Sequence, residues 1–248
     1  MQSPPTRSKA PAPPRAADPF DGVLPVDKPS GPTSHDIVAA VRRRFGIRKV
    51  GHGGTLDPLA TGLLILLLGR GTKFSARFMG ADKTYTGTLR LGVTTNTLDA
   101  DGEVVAERPI EGVTAERLQT EMDSRRGDSF QTPPMVSAVK VDGVPLYKHA
   151  RQGRVIEREP RLIHVYDFRL TGFEPPHADF TMTCTKGTYV RTLCADIGEA
   201  LGCGAHLTAL RRTRSGEFDI DRAIPFDTLM TLEPDALCSR IIPLGQFA

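Results

Sequence analysis

The stretch His52-Gly53-Gly54-Thr55-Leu56-Asp57-Pro58-Leu59-Ala60-Thr61-Gly62-Leu63-Leu64 sets one acidic side chain in a glycine-rich turn that feeds a wholly apolar run, residues 63–68. A run of that length suits a buried strand and is far too short to cross a bilayer. The segment therefore reads as a rigid element behind a tight, exposed loop. Functional carboxylates favour such loops, because the scaffold fixes the loop while glycines let a ligand approach the backbone. On composition alone, Asp-Pro among glycines is ordinary turn chemistry, with the Asp capping local amides and Pro presetting its own dihedral. Asp57 is nonetheless the residue on which we expect the chemistry to turn.

Upstream of this loop, Gly22-Val23-Leu24-Pro25-Val26-Asp27-Lys28-Pro29 reads as a short strand ending in a turn. Thr33 with Asp36 forms a capping-box pattern, followed by Ile37, Val38, Val41 and Phe45 on one helical face and Gly46 as the stop. Arg42, Arg43, Arg44, Arg48 and Lys49 crowd the other face and the loop beyond. A charge run is usually a solvated face, but one leading into the Asp57 loop is a phosphate-contact candidate.

Downstream, residues 83–91, 138–141, 162–170 and 178–185 alternate in strand fashion, with Asp142-Gly143 as a hairpin turn. Residues 114–126 and 189–201 carry helical spacing, the second through Val190, Leu193, Ile197 and Leu201 with Gly202 as its stop. Strand pairs with isolated helices and no regular βαβ alternation predict an α+β fold: a mixed, largely antiparallel sheet with flanking helices. Asp99-Ala100-Asp101-Gly102-Glu103 lacks the later ligands of a calcium loop and reads as a β-turn.

The chain has 248 residues, 39% of them hydrophobic, enough for a full core. Its 32 Lys and Arg against 29 Asp and Glu leave a net charge of only +3, so the total argues weakly for nucleic acid and local clusters matter more. Residues 1–19 are rich in proline, with Arg7, Lys9 and Arg15, and read as a disordered, mildly basic tail. Cys184, Cys194, Cys203 and Cys238 include no Cys-x-x-Cys pair, and no apolar signal segment opens the chain, so we expect free thiols and a cytoplasmic protein. The spacing of Cys194, Cys203 and His206 matches no zinc site, and no dinucleotide fingerprint or P-loop is found, so no metal and no cofactor is expected.

An aspartate acts as a nucleophile only when it is ionised and positioned, which calls for a cationic partner. Arg191, in the first turn of the second predicted helix after Lys186-Gly187-Thr188-Tyr189-Val190, is the candidate, although on its own an arginine in a first helical turn reads as a surface residue. A guanidinium there would lower the carboxyl pKa and lock its orientation through a two-point contact. Tyr85, in Asp82-Lys83-Thr84-Tyr85, reads as core packing or as a face for a single-stranded base. His52 reads equally as a turn histidine or as a contact to an everted nucleotide.

The His-x-Gly-x-Leu-Asp-Pro-x-Ala-x-Gly-x-Leu string resembles the catalytic motif of the TruB family, the tRNA pseudouridine(55) synthases. The segment from Lys186 through Arg191, Gly202, His206, Leu210, Arg211 and Arg212 resembles the family's second signature region. The resemblance runs from about Gly22 to Arg212. It implies the pseudouridine synthase fold over residues 20–225, tRNA as partner through its T arm, and isomerisation of a flipped uridine without cofactor. It further implies Asp57 as nucleophile and Arg191 as its ion-pair partner. Tyr85 would stack on the base, Tyr189 and Leu210 would line the uridine pocket, and His52, Lys73 and Lys28 would make further substrate contacts. Whether the carboxylate attacks C1′, attacks C6 or removes a sugar proton stays open. Two departures stand out. Asn96 occupies a position where most members carry Asp, and residues 226–248 are too few for the PUA-type RNA-binding domain into which bacterial members usually continue, so looser, more salt-sensitive tRNA binding is expected. The competing readings are a non-catalytic RNA-binding module and, more weakly, a hydrolase, for which no paired carboxylate sits nearby.

Overall fold

The computed structural model describes residues 18–247 apart from 138, 142 and 151. Residues 1–17 of the expected tail, and Asp142 of the expected hairpin turn, lie outside the described residues. Strand β1 (Gly22–Lys28) precedes helix α1 (Ser34–Phe45), and β2 (Val50–His52) reverses through the Asp57 loop into β3 (Thr61–Leu68). A 3-10 turn and α2 (Ser75–Gly80) lead to β4 (Lys83–Leu91), then to the hairpin β5 (Val93–Thr95) and β6 (Val104–Glu107). Helix α3 (Ala115–Ser124) and β7 (Gly127–Gln131) follow, then the small pair β8 (Lys140–Val141) and β9 (Val144–Pro145) and helix α4 (Leu146–Ala150). Next come β10 (Arg161–Glu174), β11 (His177–Cys184), α5 (Val190–Ala200) and β12 (Ala205–Ser215). Short elements close the chain: β13 (Phe218–Asp219), β14 (Ile224–Pro225), α6 (Phe226–Thr231), α7 (Pro234–Cys238) and β15 (Ile242–Pro243).

The main sheet has eleven strands, with the path β14-β1-β3-β12-β4-β11-β10-β7 and β13, β15 and β2 attached beside it. Its pairings are antiparallel except β1 with β14 and β12 with β3, the mixed, largely antiparallel sheet that the patterning predicts. Of the expected strand at 138–141, Lys140–Val141 form β8 and residue 138 lies outside the described residues, whereas the strand at 162–170 extends to Arg161–Glu174 through two register shifts. Helix α1 carries the expected capping box, Thr33 accepting from the Asp36 amide and the Asp36 carboxylate from the Thr33 amide, and ends at Gly46 in the left-handed region.

Strand β3 is apolar at nearly every position because both of its faces are covered. Leu64, Leu66 and Leu68 pack with Ile37, Val41 and Phe45 of α1 in the larger core, while Leu63, Ile65 and Leu67 meet Phe78, Phe218 and Phe247 in a smaller one. Helix α5 lies over the larger core through Leu193, Cys194 and Ile197. Residues 226–247 add no separate core: Leu229 and Leu237 enter the large cluster, Phe247 the small one, and β15 pairs with β1. Among the described residues, no helix is long and apolar enough to cross a membrane.

One opening in the sheet positions the site. Strands β3 and β12 pair only at Thr61 with Arg211 and Gly62 with Arg212. Gly62 (φ +96°) permits that approach, since a Cβ there would lie 2.4 Å from the Arg212 carbonyl. Ahead of this point the strands part, and Asp99 bridges to Leu207 on β12 instead.

Candidate active site

The loop between β2 and β3 is clamped from three directions. The buried Ser34 hydroxyl, at the start of α1, donates to the Leu56 carbonyl (3.0 Å) and accepts from the Leu56 amide (2.8 Å). Lys28, at the end of β1, is fully buried and points its Nζ at the Pro29 (2.8 Å) and Pro58 (3.2 Å) carbonyls. Arg212, on β12, donates from Nε to Leu63 O (2.7 Å), from Nη1 to Thr55 O (3.2 Å) and from Nη2 to Gly54 O (3.1 Å). With Gly31 N donating to Pro58 O and Gly53 N to Ile65 O, the backbone on both sides of Asp57 is fixed.

Asp57 meets Arg191 at this loop, Oδ2 lying 3.2 Å from Nη2. The guanidinium is 3% exposed and is shared: Nη1 lies 3.3 Å from Asp99 Oδ2 and donates to Thr97 O, and Nη2 donates to Val136 O. Asp57 keeps 40% of its side-chain surface open to solvent, so one face is free for a ligand. Arg191 lowers the Asp57 pKa as expected, but the net shift is upward. Burial is the larger effect and raises the pKa, Arg191 and Lys28 pull it back, and Asp99 and Asp101 push it up again. Burial likewise brings the Lys28 ammonium down to about 8, with Asp57 opposing the fall.

Tyr85, on β4, is buried, and that burial raises its pKa against the opposing pull of the nearby Arg212 guanidinium. Tyr189 is the N-cap residue of α5 and is held by Gln131, whose Oε1 accepts from the Tyr189 amide (2.8 Å) and whose Nε2 donates to its carbonyl (3.1 Å). The Arg191 guanidinium lies 5.9 Å from the Tyr189 ring centre. Leu210 packs half-buried against the larger core, its carbonyl accepting from Thr61 Oγ1 (3.4 Å). His52 stands edge-on to His35 (5.3 Å between centroids), and its Nδ1 accepts from the Gly54 amide. Burial, with the nearby His35 and Arg212 charges, lowers its pKa to about 4, so the ring is neutral at physiological pH.

The remaining expected contacts fall elsewhere. Lys28 holds the loop from within, with no surface left for a substrate. Lys73 is exposed in the 3-10 turn beyond Leu68, at the end of β3 remote from Asp57, about 20 Å of strand away. Of the five-residue basic cluster, Arg44 is a structural clamp on the Met230 and Leu232 carbonyls and Glu233, while Arg42, Arg43, Arg48 and Lys49 are exposed. Asn96 keeps a role in its turn, its Oδ1 accepting from the Glu103 amide (3.0 Å).

Two residues at the centre of the site have no role in the sequence reading. Asp99 was assigned only to a turn, and the turn exists, closed by Gly102 N to Asp99 O (3.3 Å), but its carboxylate also faces Arg191. Arg212 carries a signal that strand parity exposes: adjacent arginines on a strand point to opposite faces, so one of the pair must enter the interior. Arg211 turns outward to a two-point contact with Asp27 (3.0 and 2.6 Å), and Arg212 turns inward.

Family models, curated relatives and solved structures all match this chain. The N-terminal domain of TruB family pseudouridylate synthases matches residues 42–190, and the C-terminal domain of tRNA pseudouridylate synthase B matches residues 191–246. A protein named tRNA pseudouridine synthase B from Opitutus terrae is 51% identical over 229 residues, covering 92% of this chain and 95% of that one. One of the same name from Syntrophotalea carbinolica is 50% identical over 216 residues, covering 87% and 71%. Among solved structures, a chain of a Cbf5-Nop10-Gar1 complex superposes with a TM-score of 0.71 at 30% identity, covering 91% of this chain and 61% of that one.

Proposed function

This chain belongs to the TruB family of pseudouridylate synthases, and on that premise we propose that it isomerises uridine 55 in the T arm of tRNA, with Asp57 as the essential carboxylate. The N1–C1′ bond breaks, the base turns within the pocket, C5 joins C1′, the C5 proton leaves to water and N1 takes up a proton, so the product is an isomer and no electrons enter or leave. The observation that carries this reading is Asp57, held 3.2 Å from a buried guanidinium on a loop clamped on both sides, with one face open. A target base within a folded arm is extruded at a cost of a few kcal/mol, offset by stacking and phosphate contacts. Tyr85 and Leu210 form the floor for that base, Tyr189 closes the side nearest Arg191, and neutral His52 borders the loop. Lys28 acts as a positioning residue.

Whether the carboxylate attacks C1′, attacks C6 or removes a sugar proton, it starts ionised. Arg191 supports that state against the burial that opposes it, and Asp99 keeps the guanidinium aimed. The test supplies unmodified tRNA tritiated at uridine C5 and counts label released to water. Release by wild type and none by Asp57→Asn is the expected result. No release from either, with tRNA still bound, would replace the enzyme by a non-catalytic RNA-binding module.

A further inference from the structure

Beside the Arg191 network lies a cavity of about 300 Å³, lined by residues 96–98, residues 132–136, Arg158 and Thr192. It shares Thr97 and Val136, the residues whose carbonyls hold Arg191, so it is one side chain removed from Asp57. Several donors around it are buried without a hydrogen-bond partner among the described residues: Nε and Nη1 of Arg158, Oγ1 of Thr192, and Nε of Arg191 itself. Buried donors are seldom left unmade, because each forfeits its hydration for nothing. All of these can donate and the guanidinium groups can only donate, so what is missing is an acceptor, and for a guanidinium the matching acceptor is an anion.

Helix α5 adds a second, independent bias. Thr192 sits in its first turn, the N-cap residue Tyr189 offers no side-chain bond to the helix amides, and no acidic residue occupies that turn. The first-turn amides of this eleven-residue helix thus have no side-chain cap or acidic residue of their own turn at the cavity. Pro133, Pro134 and Met135 form an apolar remainder of the wall. That mixture suits a phosphodiester with its sugar better than a hydrated free ion.

Resting on the reading of the chain as a tRNA-modifying enzyme, we propose that this cavity is a phosphate subsite for the RNA nucleotide adjacent to the target uridine, with Arg158 and Thr192 as its donors. Arg158→Gln should weaken tRNA binding about tenfold and raise KM while leaving kcat in place. The slope of log affinity against log salt should fall by roughly 0.7–0.9, the loss of one phosphate contact. Arg158→Lys, which keeps the charge without the planar fork, should retain the slope and lose part of the affinity. In a synthetic T-arm stem-loop, replacing phosphates one at a time by neutral methylphosphonate should reveal one position that weakens wild type about tenfold and leaves Arg158→Gln unaffected.

Unchanged affinity and slope in Arg158→Gln would overturn the subsite, as would a methylphosphonate profile identical in variant and wild type. If inorganic phosphate raises the Tm of wild type but not of Arg158→Gln, while RNA affinity stays equal, the cavity takes a free anion and the RNA assignment fails. A wild type that shows the Arg158-dependent slope yet releases no tritium from uridine C5 would keep the subsite and sink the catalytic reading instead.

Discussion

Two arginines flank Asp57, both buried to within 3% of complete, and they are satisfied in opposite ways. Arg191 faces two carboxylates, Asp57 and Asp99, from across the opening in the sheet. Arg212 faces the backbone carbonyls of Gly54, Thr55 and Leu63, and no carboxylate among the described residues comes within ion-pair distance of it. A guanidinium paired with carboxylates sets charge, while one spread over carbonyls sets the shape of a loop. The site therefore separates the electrostatic task from the positional one, and the two should fail differently.

The largest effect is expected at Arg191. Replacing it by Met strands Asp99 in the interior and leaves the Thr97 and Val136 carbonyls unmet, which should cost about 3–5 kcal/mol in urea unfolding. Single-turnover tritium release should fall by at least about 100-fold. Arg191→Lys sharpens the point, since a single ammonium cannot serve both carboxylates and the carbonyls; if Lys restored full activity, the shared fork would be irrelevant. A smaller loss is expected for Arg212→Lys: about 1–3 kcal/mol of stability from the unmade carbonyl bonds and about 10- to 100-fold in kcat from a looser loop. Its acid limb in the pH–rate profile should stay where wild type has it, and a displaced limb would blur the division between the two arginines.

The smallest effect is a shift rather than a loss. Asp99 pushes the Asp57 pKa upward, so Asp99→Asn should bring it down. Because the reaction needs the ionised carboxylate, activity in that variant should persist to lower pH than in wild type, even if its plateau falls. A limb that stays in place or moves to higher pH would show that the loosened Arg191 outweighs the lost negative charge.

Legibility from sequence followed the range of each interaction. The capping box of α1 rests on residues three apart, and Gly46 and Gly202 mark helix ends by their own backbone freedom, so these were readable directly. Asp57 and Arg191 were readable as a pair only through the family resemblance, since they lie far apart in the chain and meet only once the sheet is assembled. Asp99 was legible as a turn and not as a counter-charge, because the turn is local and its partner is not. The lowering effect of Arg191 on Asp57 is legible from the motif, whereas the larger desolvation that raises the net pKa depends on everything packed around the group. Lys28 and Lys73 sit in the same kind of basic, turn-flanking context, yet one is sealed in the interior and the other lies at the remote end of β3.

The pairing of β1 carries a cost paid during synthesis. Val26 lies beside Ile224 and Gly22 beside Pro243, and the second face of β3 is covered by Phe218 and Phe247. At about 5–20 residues per second, a ribosome needs roughly 10–40 s to deliver those partners after the early strands emerge. Throughout that interval the nascent chain displays an unpaired strand edge and a face of the Thr61–Leu68 run covered by little beyond Phe74 and Phe78, the combination that chaperones hold and that aggregation exploits. A transcript cut short before codon 218 would thus leave a polypeptide carrying the Asp57 loop intact in sequence but with one face of the strand behind it permanently short of its cover from Phe218 and Phe247.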